Sequence, residues 1–239
     1  MPPTSCQSCP LRKRSIFSPF TKDELTFMQS FKTGELTVEP GTTILMEGSN
    51  SPQLFTVLSG MGTRYTTLEN GRRQVINFLF PGDFAGLQAG LQHSVEATTD
   101  MTLCVFRRDE LWRLFRSHPD RAYDLTWIAA VEEHFLGETI ATLGQRDAAQ
   151  RIAWALVRMY DRLKAVGLET AGRVPLPFRQ QDLADALGLS LVHTNKTLKT
   201  LRSKGLARWK DGHLEVKNPG KLADLALVEH EKPQRRPLM

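Results

Sequence analysis

The sequence predicts an α+β chain: an N-terminal β-roll (jelly-roll-like), a long helix, and a C-terminal winged helix-turn-helix. Three observations predict it. Seven short apolar runs separated by turn residues fill the stretch from Gly34 to Arg107. A helical apolar period opens at Pro119 and carries on to Leu143. Beyond Arg173, two short amphipathic helices joined by Gly188 precede a hairpin marked by Asp211-Gly212.

Taken in order, residues 1–20 form a Cys-, Pro- and Arg-containing arm with little periodicity. A β-roll domain is expected over 21–118. It opens with a helix over Thr21–Phe31, where Thr21 caps the first turn and Glu24 completes a capping box. The strand runs are Glu35–Val38, Thr43–Met46, Leu54–Leu58, Gly62–Leu68, Gln74–Phe80, Ser94–Thr98 and Thr102–Phe106. Asn70-Gly71 between two of them signals a hairpin, because both residue types tolerate positive φ. A short helix over Asp109–Phe115 closes the domain.

The long helix is assigned 119–144, with Gly144 interrupting it. Pro119 suits a first turn, where its missing N–H is not needed. Leu125, Ile128, Val131, Phe135, Leu136, Ile140 and Leu143 form a stripe too broad for one buried face. The second face is either the same helix of a second subunit or an ordinary core contact, and the pattern alone leaves both open. Asp147 caps a further helix through Ile152–Leu163. The DNA-binding domain is assigned 145–228, and the charged, Pro-containing stretch 229–239 is expected to be a disordered tail.

Composition narrows the function. The chain has 239 residues, 41% hydrophobic, with a net charge of +5. From Ser190 to Lys210 there are six Lys/Arg and no Asp or Glu, the footprint of a phosphate-binding surface. No segment approaches about 18 consecutive apolar residues, so no membrane span is expected. Three cysteines and no secretory signal argue for a cytoplasmic protein rather than a disulfide-built one.

In the basic segment, Arg179–Leu187 reads as the first helix and Leu191–Lys204 as the second, with Ser190 as its N-cap. Leu191, Thr194, Leu198 and Leu201 are expected to pack inward. That leaves Val192, His193, Asn195, Lys196 and Lys199 outward. Residues early in a recognition helix reach base edges in the major groove. Asn195 suits adenine, Lys196 suits guanine, His193 can do either more weakly, and Val192 can touch a thymine methyl. Lys199, Arg202 and Lys204 lie further along and suit phosphates. Arg208 and Lys210 belong to the wing, with His213 beside them. The expected DNA-contacting set is therefore Ser190, Val192, His193, Asn195, Lys196, Lys199, Arg202, Lys204, Arg208 and Lys210.

These features together make the chain resemble the CRP/FNR family of bacterial transcription regulators, from Cys6 to about Val216. The resemblance rests on Pro81-Gly82-Asp83-Phe84 in the roll, the long helix ending at Gly144, Asp147–Ala153, and the winged helix-turn-helix. It implies a sensor role for the roll and a homodimer joined through 119–144. It also implies a palindromic operator with half-sites about 34 Å apart, and RNA polymerase as a partner.

Departures from the family refine this. Cyclic-nucleotide-binding members carry a Gly-Glu pair and a later Arg for the cyclic phosphate. Here Leu87 stands at the Glu position, and no Arg or Lys occurs between Arg73 and Arg107, which argues against cyclic AMP. The branch resembling the fumarate-nitrate regulator holds a [4Fe–4S] cluster on C-x2-C-x5-C plus a fourth Cys in the roll. This chain has Cys6 and Cys9, then Ser15 at the third position, and Cys104 at the fourth. The resemblance thus nominates Cys6, Cys9 and Cys104 as ligands of an iron–sulfur cluster, with the fourth ligand open. A Cys6/Cys9 thiol switch favoured by Arg12 and Lys13, and cysteines with no cofactor, stand as alternatives. Four zinc ligands are not evident. In the recognition helix, that branch's Glu-x-x-Ser-Arg is replaced by Val192, Asn195 and Lys196, so a different operator is expected.

Two other classes make different demands of the sequence. A cupin-like metal enzyme needs clustered inward His/Glu ligands, and the β-region offers only His93; no catalytic motif is present. No enzyme activity is expected. A roll sensing haem or another small ligand would have His93 and Cys104 as its nominees for an axial position.

Overall fold

The computed structural model describes residues 3–88, 90, 92–229 and 233–239. It divides into two compact units. One comprises residues up to Arg72, Ile76–Glu133 and Arg235–Met239; the other comprises Arg73–Val75 and His134–Gln234.

In the first unit, α1 (Lys22–Phe31) follows the arm. Thr21 and Glu24 form the expected capping box: the Glu24 amide donates to Thr21 Oγ1 at 3.2 Å and the Thr21 amide to Glu24 Oε2 at 2.6 Å. The strands are β1 (Lys32–Val38), β2 (Thr43–Leu45), β3 (Gln53–Ser59), β4 (Gly62–Thr67), β5 (Arg73–Leu79), β6 (Phe84–Ala85), β7 (Ser94–Ala97) and β8 (Met101–Arg107). They form two four-stranded sheets, in the orders β1-β8-β3-β6 and β2-β7-β4-β5. The two-residue β6 has no sequence signature, because Phe84-Ala85 is too short to show alternation.

The Asn70-Gly71 hairpin forms as expected between β4 and β5, with the Leu68 amide donating to Arg72 O at 2.9 Å. Only Gly71 takes positive φ (79°), and Asn70 uses its side chain instead, accepting from the Arg72 amide at 3.0 Å. The pair is an Asx-stabilised loop rather than a tight turn with two left-handed residues.

The sheet β1-β8-β3-β6 is covered on both faces. Phe55 and Val57 of β3, with Leu103 and Val105 of β8, enter the core between the sheets. Their neighbours Leu54 and Phe106 point the other way, into a second apolar cluster with Met28 and Phe31 of α1. Strand residues alternate faces, so the buried run Leu54–Leu58, apolar except for Thr56, is what a doubly covered strand requires. Leu111–Ser117 (α2) follows a 3-10 turn over Arg108–Glu110.

The long helix α3 spans Pro119–Gln145, running through Gly144 rather than stopping there, and the two units share it. Leu125 is buried and Ile128 and Phe135 are half-buried, while Val131, Leu136 and Ile140 are exposed.

In the second unit, α4 (Ala148–Ala165) is capped by Asp147 and is mostly buried from Ile152 to Leu163. Three strands, β9 (Arg173–Pro175), β10 (Arg208–Lys210) and β11 (His213–Glu215), form a sheet in the order β10-β11-β9. The helices α5 (Gln180–Leu187), α6 (Leu191–Ser203) and α7 (Pro219–Ala226) complete the unit. Helix α7 was not anticipated, although Asn218-Pro219 is a legible start: Asn218 Oδ1 accepts from the Lys221 amide at 3.0 Å, and Pro219 occupies the first turn.

The expected disordered tail is corrected. Residues 230–232 lie outside the described residues, but Arg235–Met239 belong to the β-roll unit, with Leu238 and Met239 buried. Composition alone missed this because the apolar pair Leu238-Met239 follows a charged stretch that dominates any window average.

Among the described residues, no helix is long and apolar enough to cross a membrane.

Candidate DNA interface and cysteine pocket

The helix pair is built as its turn residues dictate. Gly188 closes α5 in the left-handed conformation (φ 63°, ψ 34°), where glycine has no Cβ penalty. Ser190 Oγ then accepts from the His193 amide at 3.2 Å and starts α6. Buried Asp182 holds the entry to α5: it accepts from the Arg179 amide at 3.0 Å and from both ends of the Arg179 guanidinium.

The inward face of α6 differs from the one expected. Thr194, Thr197 and Leu201 are buried and Leu198 is half-buried, whereas Leu191 is 39% exposed. Leu191 is the first residue of α6, directly after its Ser190 N-cap, and Thr197 joins Thr194 and Leu201 on the buried face. Val192, His193, Asn195, Lys196 and Lys199 are all exposed, as are Ser190, Arg202, Lys204, Arg208 and Lys210. All ten nominated residues therefore lie on the surface of one unit.

The wing forms at the expected turn. Asp211 and Gly212 both take positive φ (50° and 69°), the primed-turn signature of a two-residue hairpin. Arg208 pairs with Glu215 and Lys210 with His213 across it. Trp209 pins the wing by donating from Nε1 to Leu176 O at 2.9 Å. Lys210 lies 3.5 Å from the Asp211 carboxylate, so the wing tip is less positive than α6.

The cysteines come together in the other unit. Cys6, Cys9 and Cys104 line one pocket on the outer face of the sheet β1-β8-β3-β6. A row of cross-strand neighbours runs Glu35, Cys104, Thr56, Phe84 through β1, β8, β3 and β6. The arm is fastened above that row. Lys32 Nζ donates to Thr4 O and to Glu35 Oε1, each at 2.6 Å, and the Thr4 amide donates to the same carboxylate at 2.8 Å. Gln29 Oε1 accepts from the Cys6 amide at 2.7 Å, and Arg12 donates to Cys6 O at 2.9 Å.

Electrostatics there oppose an easily formed thiolate. Burial pushes the Cys104 thiol up to about 11, against the pull of Lys32. Burial also raises Cys6; Lys32 and, more weakly, Arg12 pull it down without overcoming burial. Arg12 thus acts on Cys6 in the expected direction, but burial outweighs it. Burial would lower the Lys32 ammonium, but its bond to Glu35 and the nearby thiols raise it on balance, and Glu35 is lowered in return. Ser15, the residue at the third-cysteine position, is exposed and does not line the pocket. Among the described residues, no three His, Cys, Asp or Glu converge as a single-ion site.

His93 is buried and does not line the cysteine pocket. Burial, then Arg64, push its imidazole down to about 4. The two nominees for a haem ligand, His93 and Cys104, thus belong to different surroundings. The segment that would carry the cyclic-nucleotide Glu is held from behind: Arg108 donates to the carbonyls of Gly86, Leu87 (2.9 Å) and Gln88 (3.1 Å), and Leu87 packs against the apolar cluster.

The Cyclic nucleotide-binding domain family matches residues 35–118, and the Crp-like helix-turn-helix domain family matches 150–225. The nitrogen fixation regulation protein FixK of Rhizobium meliloti is 32% identical over 193 residues, covering 79% of this chain and 85% of its own. The chain belongs to the CRP/FNR family. The transcriptional activator FnrL of Cereibacter sphaeroides is 30% identical over 84% of this chain and 83% of its own. The solved structure of FixK2 from Bradyrhizobium japonicum superposes with a TM-score of 0.74 at 26% identity, covering 80% of this chain and 96% of that one. As a CRP/FNR member with this winged helix, the chain is a DNA-binding transcription regulator and not an enzyme.

Reading the sequence missed the residues that frame the pocket: Lys32, Glu35, Thr56 and Met239. Lys32 and Glu35 carried a faint signal, as opposite charges three residues apart. Thr56 and Met239 carried none, because their roles depend on strand register and on a long-range return of the chain.

Proposed function

We propose that this CRP/FNR regulator acts as a homodimer on a palindromic operator and takes a redox or oxygen signal at the cysteine pocket. Bases are read by Val192, His193, Asn195 and Lys196; Ser190, Lys199, Arg202, Lys204, Arg208 and Lys210 hold the backbone. The observation that carries the DNA reading is the uniform exposure of these ten side chains. Dimerisation is assigned to α3, whose exposed Val131, Leu136 and Ile140 are apolar and too many for an unpartnered helix. RNA polymerase is the further partner the family resemblance supplies.

The signal reading rests on all three cysteines lining one pocket. Ligands of an iron–sulfur cluster bind separate irons and so need not crowd to the spacing of a single ion, which suits three thiols that converge without forming a one-ion site. Cys6, Cys9 and Cys104 would hold such a cluster, which would supply oxygen-sensitive iron–thiolate chemistry. A cluster would stabilise the thiolate form that burial disfavours.

Anaerobic purification followed by visible absorption and iron and sulfide analysis tests this. Iron and sulfide in near-stoichiometric amounts, lost in Cys104→Ala, is the expected result. A colourless, iron-free anaerobic protein overturns it and leaves the Cys6/Cys9 thiol pair as the redox element.

A further inference from the structure

The segment Arg235–Met239 reads as a charged tail, yet it is built into the β-roll unit at several independent points. The Arg236 amide donates to Ile16 O at 2.8 Å, and Arg236 O accepts from the Ser18 amide at 2.9 Å, which makes a parallel bridge beside Phe17. Its guanidinium donates to Gly82 O at 2.7 Å and to buried Asp83 Oδ1 at 2.8 Å, and lies 5.6 Å from the centre of the Phe17 ring. The receptor is shaped for this. A Cβ on Gly82 would sit 2.2 Å from Phe17 Cζ, so only glycine leaves room for the ring that backs Arg236.

Two residues further on, Leu238 and Met239 line the cysteine pocket. Met239 packs into the apolar cluster with Met28, Phe31 and Phe106, which Cys104 also adjoins. Met239 O accepts from Thr56 Oγ1 at 2.5 Å, and Thr56 is the cross-strand neighbour of Cys104. The plug thus ends beside the one cysteine that lies on the sheet.

We propose that Arg235–Met239 is a strap over the cysteine pocket that restricts access to half-buried Cys104, so that its release speeds the approach of solvent-borne reagents and oxidants. Arg236 is the latch, held by Asp83, Gly82 and the arm; Leu238 and Met239 are the plug. Release of the strap breaks only these non-covalent contacts of residues 235–239. As a control on signalling, the strap rests on the reading of this pocket as the signal site; as a barrier to Cys104, it does not.

The test uses the full chain, reduced and metal-free, under anaerobic conditions. N-ethylmaleimide labelling is followed by mass spectrometry at each cysteine, for the wild type, Arg236→Ala, and a chain lacking residues 235–239. Loss of a half-buried, charge-assisted latch should speed Cys104 labelling by at least about ten-fold in both variants. Cys6 and Cys9 should change less. Equal Cys104 rates in all three proteins overturn the strap.

Because a variant can fail to fold, hydrogen exchange on the wild type provides a second measurement. The Ser18 and Arg236 amides should exchange as slowly as amides within β3. Exchange of both at the rate of an exposed loop overturns the strap regardless of the variants. An iron-free wild type with a gated Cys104 removes the cluster reading and keeps the strap; an iron-loaded wild type with ungated Cys104 does the reverse.

Discussion

On α6, Lys196, Lys199 and Arg202 stand exposed, Lys204 follows, and no ion pair among the described residues engages them. At the cysteine pocket the most buried cation is Lys32, whose side chain is 4% exposed and is paired with Glu35 and Thr4 O. Free surface charge costs little in water and remains available to a polyanion. A buried charge needs a partner, and once paired it serves to position whatever surrounds it. The first arrangement makes a binding face; the second makes a rigid cradle. The two units therefore differ in what a substitution should disturb: packing and pairing in the roll, long-range attraction on the helix.

The largest effect that sharpens this contrast is in packing. Leu201 is 1% exposed and is the deepest apolar anchor of α6. Leu201→Ala should destabilise the winged-helix unit by about 2–5 kcal/mol, measured by urea unfolding, and should weaken DNA binding through the loss of the helix rather than of any contact. If binding falls while the unfolding midpoint stays put, α6 is not positioned by this face.

The next effect lies in the roll and depends on pH. His93 is held neutral, with its imidazole down to about 4 from an ordinary 6.5. The unfolded chain therefore binds the additional proton between those values, so stability is full above about 6.5 and falls as the pH drops toward 4. The span is no more than roughly 3 kcal/mol. His93→Gln should flatten that part of the stability–pH curve; an unchanged slope would place the acid sensitivity elsewhere.

How much of this was legible in the sequence follows the same division. The DNA face was readable because its parts are contiguous: Gly188, Ser190, the acid-free run and Asp211-Gly212 lie within a few turns of chain, and local rules govern each. The error there was one of phase, with Leu191 exposed and Thr197 buried, because a short helix starting at a cap does not announce where its packing face begins. The pocket draws on the arm, α1, three strands and residues 235–239. Cys6, Cys9 and Cys104 were visible as residue types, but Thr56 beside Cys104 is a matter of strand register. Met239 reaches the site through a return of the chain that no local period encodes.

The third prediction moves to the surface of α6. Lys196 is placed to contact a base, so Lys196→Ala should cost about 1–3 kcal/mol on the preferred operator and relax preference at one position. Competition binding against a randomised duplex pool reads both quantities. A uniform loss across all sequences would make Lys196 a phosphate contact and shift the helix in the groove.

Lys204 completes the comparison with the smallest effect. It caps the end of α6, one turn or more from the base-reading residues, and is exposed. A cation there meets the phosphate backbone, whose contribution is independent of sequence and comes from counterion release. Lys204→Ala should therefore lower affinity evenly for operator and random DNA and reduce the slope of log K against log salt by about 1. Fluorescence anisotropy at four or more salt concentrations separates this from Lys196→Ala, where the change is in sequence preference. An unchanged slope would mean that the Lys204 charge never meets a phosphate, and that the phosphate-contacting part of α6 ends before its C-cap.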